Sequence, residues 1–282
     1  MVLVFAGFGA KPARMLLPTR LVEKVWGRDE LPAPFAAPEN TRIGEIWFEP
    51  PPIMSDLLVK YLFTSEKLSV QCHPDAEQAK AAGLGDIGKD ECWLVIAAEP
   101  GATLGIGFDQ PIDTEAMRNA ATDGTIEDLM TWFEVQAGDF FYIPANTVHA
   151  IGPGCSIVEV QQNCDITYRL YDYGRPRELH LDVGAAIADG APYDRGLYQR
   201  LPTSGSASLV DGPAFRLDWV DGVPGDGLLY SYSQPLLVLP LSGEIVVGGE
   251  EVVKPGECAF ARDLTSVTFA PESKALVTAP TR

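Results

Sequence analysis

Short runs of Val, Ile, Leu and aromatic residues, each closed by Pro, Gly or charge, recur along the chain and predict strands. In the first half they are Ile43–Phe48, Leu57–Phe63, Leu68–Val70 and Cys92–Ala97. After Gly138 they resume at Phe140–Ile143, Val148–Ile151, Ile157–Gln161 and Ile166–Leu170. Helical patterning is confined to a few places. Asp75–Ala82 follows a proline and is rich in Ala, Glu, Gln and Lys, which predicts a short helix. Asp113–Ala121 and Thr125–Phe133 predict better ones, because Thr114 and Thr125 shortly precede acidic residues. Met117, Ile126, Leu129 and Trp132 also fall at helical spacing there, a core-packing pattern. Val183–Ala188 reads as a further helix within the mixed stretch Leu181–Tyr198.

From Ser206 onward strands dominate: Phe215–Val220, Leu228–Tyr232, Leu236–Leu239, Glu244–Val247, Glu257–Ala261 and Ala275–Thr278, with Gly248-Gly249 as a hairpin turn. So many short strands with few helices predict a mainly β protein of sandwich or jelly-roll type. The Gly-, Pro- and Ser-rich break near residues 190–207 divides it into two β units, 1–195 with the helical segment near 113–133, and 196–282. Met1–Ala10 is apolar without a preceding basic residue, so a buried first strand is expected there rather than a signal peptide. Pro, Gly and polar residues interrupt Leu228–Gly243, and no apolar run is long enough to span a bilayer.

Charge narrows the partners. The formal net charge of -18 repels nucleic acid and anionic membrane, so neither is expected as a partner. An anionic small molecule would have to be captured by a local group of Arg and Lys. The five cysteines, Cys72, Cys92, Cys155, Cys164 and Cys258, form no C-x-x-C pair and are odd in number. Reduced thiols in a cytoplasmic protein are the plain expectation.

With three histidines in the chain, His73, His149 and His180, an imidazole metal site has few possible members. In Leu68-Ser69-Val70-Gln71-Cys72-His73, strand alternation puts Ser69, Gln71 and His73 on one face and Val70 and Cys72 on the other. Gln71 and His73 can therefore bind one ion together. Glu91 opens the strand after Gly88-Lys89-Asp90, and His149 ends Gly138-Asp139-Phe140-Phe141-Tyr142-Ile143-Pro144-Ala145-Asn146-Thr147-Val148. Two imidazoles, a carboxylate and an amide oxygen suit one zinc ion at ~2.0–2.2 Å. His180 reads as structural, and Cys72 and Cys92 as packing residues facing away from the ion.

The segment ending at His149 resembles the second cupin motif, G-x5-P-x-G-x2-H, with Asn146 in the glycine position, a residue that tolerates the left-handed turn. Gln-x-His replaces the usual cupin His-x-His, which disfavours a metal-dependent dioxygenase. LSVQCHPD at Leu68–Asp75, GKDECW at Gly88–Trp93, IPANTVHAIGPG at Ile143–Gly154 and VEVQQNCDITYRLYDYGR at Val158–Arg175 together resemble the type I phosphomannose isomerases. So do Trp26-Gly27 and IGEIW from Ile43. The resemblance runs in order from about residue 20 to 182, in the short bacterial style. Beyond residue 200 it is that of a generic second cupin-like unit, which has no histidine to repeat the metal set.

The resemblance implies a double cupin that interconverts mannose 6-phosphate and fructose 6-phosphate with one zinc ion per chain. It places the metal on Gln71, His73, Glu91 and His149, gives active-site roles to Lys89, Glu159 and Arg169, and puts the substrate phosphate on Ser69 and Arg175. Moving a proton between C1 and C2 requires a base, for which Glu159 and Lys89 compete, Glu159 also being suited to hold Arg169 in place. Arg175 and Arg177, flanking a proline, suit a dianion. An isomerase of another sugar would keep the metal set, and a sugar-phosphate-binding regulatory cupin would keep it without turnover. The sequence leaves the oligomeric state open.

Overall fold

The structure, a computed structural model, describes residues 15–281, so the strand expected at Met1–Ala10 lies outside the described residues. The first β unit is a sandwich. Its larger sheet contains β1 (Thr19–Arg28), β2 (Ile43–Phe48) and β3 (Leu57–Phe63); its smaller sheet begins with β4 (Val70–Cys72). The chain continues through β5 (Glu91–Ala98), β6 (Thr103–Phe108), β7 (Met130–Glu134), β8 (Asp139–Ile143), β9 (His149–Ile151), β10 (Cys155–Gln162), β11 (Tyr168–Tyr171) and β12 (Tyr198–Arg200). Seven strands run in the order β1-β2-β3-β10-β5-β8-β12, and five in the order β11-β4-β9-β6-β7. All of the paired strands in both sheets are antiparallel.

The second unit repeats the plan on a smaller scale. It comprises β13 (Ala207–Asp211), β14 (Phe215–Asp221), β15 (Leu236–Ser242), β16 (Ile245–Val247), β17 (Glu251–Val253), β18 (Ala259–Ala261), β19 (Val267–Phe269) and β20 (Lys274–Pro280). These form a five-stranded sheet, β13-β14-β20-β15-β18, and a three-stranded one, β17-β16-β19. Gly248 and Gly249, at φ 63° and 80°, make the β16–β17 hairpin as expected, in the left-handed region that glycine tolerates best.

The central strands of the seven-stranded sheet are buried on both faces, which explains why Leu57–Phe63 is apolar almost throughout. Leu57, Val59, Tyr61 and Phe63 point to a core shared with Leu217, Trp219, Leu237, Leu239 and Phe260 of the second unit. The alternate positions, Leu58, Lys60 and Leu62, line a cleft inside the first sandwich. β5 and β10 obey the same alternation: Cys92, Leu94, Val158 and Val160 join the shared core, while Glu91, Trp93, Glu159 and Gln161 line the cleft.

Short helices close the ends. α1 (Ala76–Ala81) starts at a complete capping box, in which Asp75 accepts from the Gln78 N–H and Gln78 accepts in return from the Asp75 N–H. α2 (Thr114–Asp123) is capped by Asp113 and ends at Gly124, φ 88°. With α4 (Leu181–Ile187) it covers the outer face of the five-stranded sheet. Two expected elements are corrected. The helix foreseen over Thr125–Phe133 stops early as α3 (Ile126–Leu129), and Met130–Glu134 becomes β7. Thr131, Trp132 and Phe133 are β-branched or aromatic, and pairing with β6 gives them a half-buried sheet surface. The strand foreseen at Leu228–Tyr232 is instead α5 (Asp226–Ser231). Its short apolar run fits either element, and with no strand beside it the run packs Leu228 and Leu229 as a helix on the second core. Tyr232, fully buried, donates its hydroxyl to Asp218 at 2.7 Å. Among the described residues no helix is long and apolar enough to cross a membrane.

The shared core makes a direct prediction. Leu217→Ala removes a side chain that is 1% exposed between the units and should cost about 2–5 kcal/mol in urea denaturation. A loss below about 1 kcal/mol would mean that the two units do not depend on this contact.

Candidate active site

Period-two alternation brings the chain's chemistry to one place. Cross-strand pairing sets Arg169 on β11 beside Gln71 on β4, and Gln71 beside His149 on β9. On the facing sheet Lys60 pairs with Glu159 and Glu159 with Trp93, two register positions from the pair Gln161 and Glu91. A cleft lies between the sheets, and Ser69, Gln71, Lys89, Glu91, Glu159 and Arg169 all line it.

At its floor His73, Glu91 and His149 are all buried, with their ligand atoms within 4.8 Å of one another. His73 Nε2 lies 3.6 Å and His149 Nε2 3.4 Å from the two Glu91 oxygens. Each imidazole donates from Nδ1 to a backbone carbonyl, His73 to Ile166 at 2.8 Å and His149 to Thr147 at 2.9 Å. That anchoring fixes the tautomer and leaves both Nε2 lone pairs directed inward. Burial first, and the Lys89 charge second, hold the His73 pKa well below its usual value; burial lowers that of His149 as well. Both rings are thus neutral, the form that ligates a metal.

Glu91 is the complementary case. Burial opposes its charge, but the Lys89 ammonium, with Lys60 behind it, holds its carboxyl below the usual range. One oxygen, Oε2, has no aligned hydrogen-bond donor, although the Lys89 ammonium lies 3.0 Å away and equally 3.0 Å from His73 Nε2. A cationic group thus already stands between the imidazole and the carboxylate. A buried anion, two inward lone pairs and a cation among them fit a divalent metal. Gln71 lies alongside, its Nε2 3.4 Å from His149 Nε2 and its Oε1 accepting from Ser69 Oγ at 2.9 Å.

Beside this floor stands a second buried carboxylate. Glu159 pairs with Lys60 at 3.0 Å and accepts from the Trp93 indole at 3.2 Å. Burial and the nearby Glu91 charge push its carboxyl up to about 7, with Lys60 and Lys89 pulling the other way. Lys60 in turn reaches Glu45 at 3.6 Å, and Glu45 reaches Lys24 at 3.3 Å. Burial works against the Lys60 charge, yet Glu159, Glu45 and Glu91 outweigh it and raise its pKa.

The chain is 33% identical over 226 residues to a probable mannose-6-phosphate isomerase of Bacillus subtilis, a match covering 73% of this chain and 71% of that protein. The chain belongs to the mannose-6-phosphate isomerase family. A mannose-6-phosphate isomerase of Streptococcus mutans is 44% identical over 210 residues, which is 69% of this chain and 64% of that relative's length. The crystal structure of a mannose 6-phosphate isomerase from Bacillus subtilis superposes with a TM-score of 0.74 at 22% identity, covering 94% of this chain and 99% of that one. That likeness establishes the double-cupin fold. No protein-family model matches the chain.

For this isomerase-family member the structure distributes the sequence candidates unevenly. Gln71, His73, Glu91, His149, Lys89, Glu159, Arg169 and Ser69 meet at or beside one cleft. Arg175 does not line it. Its guanidinium is 3.1 Å from Glu66 and 3.2 Å from Asp172, and donates to the Lys67 carbonyl. His180 supports the strand bearing Arg169, accepting from the Arg169 N–H at 3.1 Å. Cys72 and Cys92 face away, donating to the Gly184 and Val160 carbonyls.

Sequence reasoning missed Lys60 and Glu45, and for Asn146 it foresaw the left-handed turn but not the side-chain bonds. Lys60 and Glu45 had a signal, a charge inside an otherwise apolar strand, because such a charge is expensive without a partner. Asn146 takes φ 71° in the glycine position of the cupin motif, and its side chain does further work. Its Nδ2 donates to the His73 carbonyl at 3.1 Å and to Gln78 at 2.7 Å, while Gln78 returns a bond at 3.1 Å. The loops carrying the two floor histidines are thereby tied together.

Asn146→Gly keeps the left-handed turn and loses only the side-chain bonds, at about 1 kcal/mol each. Asn146→Ala loses the same bonds and adds about 1 kcal/mol of backbone strain. Thermal denaturation should therefore rank wild type above Asn146→Gly above Asn146→Ala; equal stability for the two variants would refute the backbone part of this account.

Proposed function

We propose that this chain interconverts mannose 6-phosphate and fructose 6-phosphate by proton transfer between C1 and C2 through an enediol, using one Zn2+ held by Gln71, His73, Glu91 and His149. The observation that carries the reading is the pairing of a buried His–Glu–His floor with a second buried carboxylate, Glu159, in one cleft. The names of the relatives supply the substrate. We read 1–195 as the catalytic unit and 196–282 as a cupin-like unit without a metal set. Five free, buried cysteines fit a cytoplasmic setting.

Gln71 completes the donor set by a half-turn of its amide, which directs Oε1 at the imidazoles and lets Ser69 Oγ accept from Nε2. When bound, zinc supplies Lewis-acid polarisation of the sugar oxygens. Glu159, with its carboxyl near the working pH, takes the C–H proton from one carbon and returns it to the other. Lys60 keeps that carboxylate in place and stabilises its ionised form. Lys89, 3.0 Å from His73 and Glu91, is placed to donate to a sugar oxygen, and Arg169 adds a fixed positive charge on the opposite sheet. Burial among apolar walls that include Trp26, Leu62, Trp93 and Ile151 keeps water from competing for the enediol.

Four outcomes are expected. His73→Ala and His149→Ala should each lose metal by elemental analysis and lose isomerase activity together. Arg169→Ala should retain zinc and fall about 100-fold in turnover, and a variant of wild-type rate would remove it from the mechanism. The third concerns pH. Glu159 must be ionised to act, so turnover should fall as the pH drops below its carboxyl value of about 7. A bound dication would move that limb lower. Glu159→Gln should lose about 100-fold or more in rate and should no longer carry solvent deuterium to C2 of the substrate; undiminished exchange would hand the base role to Lys89.

A further inference from the structure

Lys89 and Glu91 face the floor with one residue between them, and strand alternation turns that residue the other way. Asp90 carries a hydrogen bond on every polar atom it has. Its N–H donates to Gln162 Oε1 at 2.9 Å, and its carbonyl accepts from the Gln162 N–H at 3.0 Å. One carboxylate oxygen accepts from the Tyr142 hydroxyl at 2.7 Å, the other from the Ala145 N–H at 2.8 Å. Three strands end around it: Gln162 closes β10, Ile143 closes β8 and Glu91 opens β5. Residues 82–86, just upstream, form an exposed turn, and a strand that begins beside such a turn frays unless something clamps its first residues.

The two partners of the carboxylate lead to different parts of the molecule. Ala145 opens the turn in which the Asn146 N–H donates to the His73 carbonyl at 2.7 Å, and His149 follows three residues later. Tyr142 leads to the second unit: its ring stands edge-on to Phe215 of β14, with 6.1 Å between centroids. On the other flank the Lys89 N–H donates to the Pro74 carbonyl at 2.9 Å, next to His73. We propose that Asp90 is a positioning residue of the metal floor, joining the strand start that bears Lys89 and Glu91 to the turn that bears His149, with Tyr142 bringing the support of the second unit to it. Glu91 and His149 lie far apart along the chain, and affinity for an ion depends on how closely their separation is held. Asp90 touches neither ion nor sugar and acts through the backbone. The inference rests on the proposed function for the identity of the ion; the clamp itself rests on these four hydrogen bonds.

The test uses the full chain and reads zinc affinity by competition with a chromogenic chelator, alongside Tm and turnover of mannose 6-phosphate. Asp90→Ala should bind zinc about tenfold more weakly, the lower end of what removing the outer partners of metal ligands costs. Asp90→Asn should stay within about threefold of wild type, because its amide accepts from the Ala145 N–H and donates to the Tyr142 oxygen. Tyr142→Phe keeps the ring against Phe215 and loses the hydroxyl. It should weaken zinc about fivefold in the wild-type background and add nothing to Asp90→Ala, because it acts through that carboxylate. A lower Tm with unchanged zinc affinity in Asp90→Ala would reduce Asp90 to a brace for strand ends and overturn the proposal, as would an equal loss in Asp90→Asn. If Asp90→Ala does not fold, Tyr142→Phe decides, and unchanged zinc affinity there overturns it. A chain that holds zinc in an Asp90-dependent manner yet turns over no mannose 6-phosphate keeps the clamp and defeats the proposed function; an active isomerase whose zinc affinity ignores Asp90 does the reverse.

Discussion

The structure turns on the problem of keeping charge on the inner face of a sheet that is covered on both sides. Lys60, Glu159, Lys89 and Glu91 are all nearly inaccessible to water. An isolated charge there would neutralise itself or unfold the sheet. Strand pairing prevents this by setting the signs in alternation, from Lys24 through Glu45 and Lys60 to Glu159, and from Lys89 to Glu91. Such a ladder is sensitive to register. A slip of one residue in β3 or β10 would turn Lys60 or Glu159 into the shared apolar core. The apolar packing between the two units therefore fixes more than stability. It decides which way every charged side chain points.

The smaller sheet meets a different demand, that of holding two imidazoles with their lone pairs converging. Three devices accomplish it, all through backbone carbonyls and neighbouring amides. Ile166 and Thr147 fix the tautomers, Ser69 orients Gln71, and Asn146 ties the His73 loop to the His149 turn. The capping box of α1 joins the same network, because Gln78 accepts from Asp75 and pairs with Asn146 at once. A helix start, which sequence logic treats as local, here helps to set a long-range contact.

Periodicity reveals a good deal of this. Alternation in Ser69–His73 puts Gln71 and His73 on one face, ligand chemistry and the resemblance add Glu91 and His149, and most of the expected strands fall within a residue or two of their bounds. Sequence fails where a segment's partner decides its state. Met130–Glu134 is a strand because β6 is beside it, and Asp226–Ser231 is a helix because nothing pairs with it. The edge strand Thr19–Arg28, mostly polar on its open face, carries no apolar alternation strong enough to announce it. Arginines 175 and 177 look equivalent along the chain, each flanking Pro176. What separates them is the position of Glu66, more than a hundred residues away in the sequence, and no local pattern encodes that distance.

The division of labour between the two basic residue types follows from the same electrostatics. Every lysine lining the cleft has a carboxylate within ion-pair range: Lys24 has Glu45, Lys60 has Glu45 and Glu159, and Lys89 has Glu91. Without one, a buried ammonium would shed its proton and with it its charge. Arg169 makes no ion pair among the described residues and keeps its charge, because a guanidinium does not deprotonate in a protein. On a chain of net charge -18, attraction for an anion must come from within about one Debye length of the cleft, roughly 8 Å at physiological salt. Paired lysines contribute little to such a field, since each carboxylate cancels its neighbour. The attraction must come from the cations left uncompensated, and a site that is to retain them in a water-poor cleft has arginine as its stable choice.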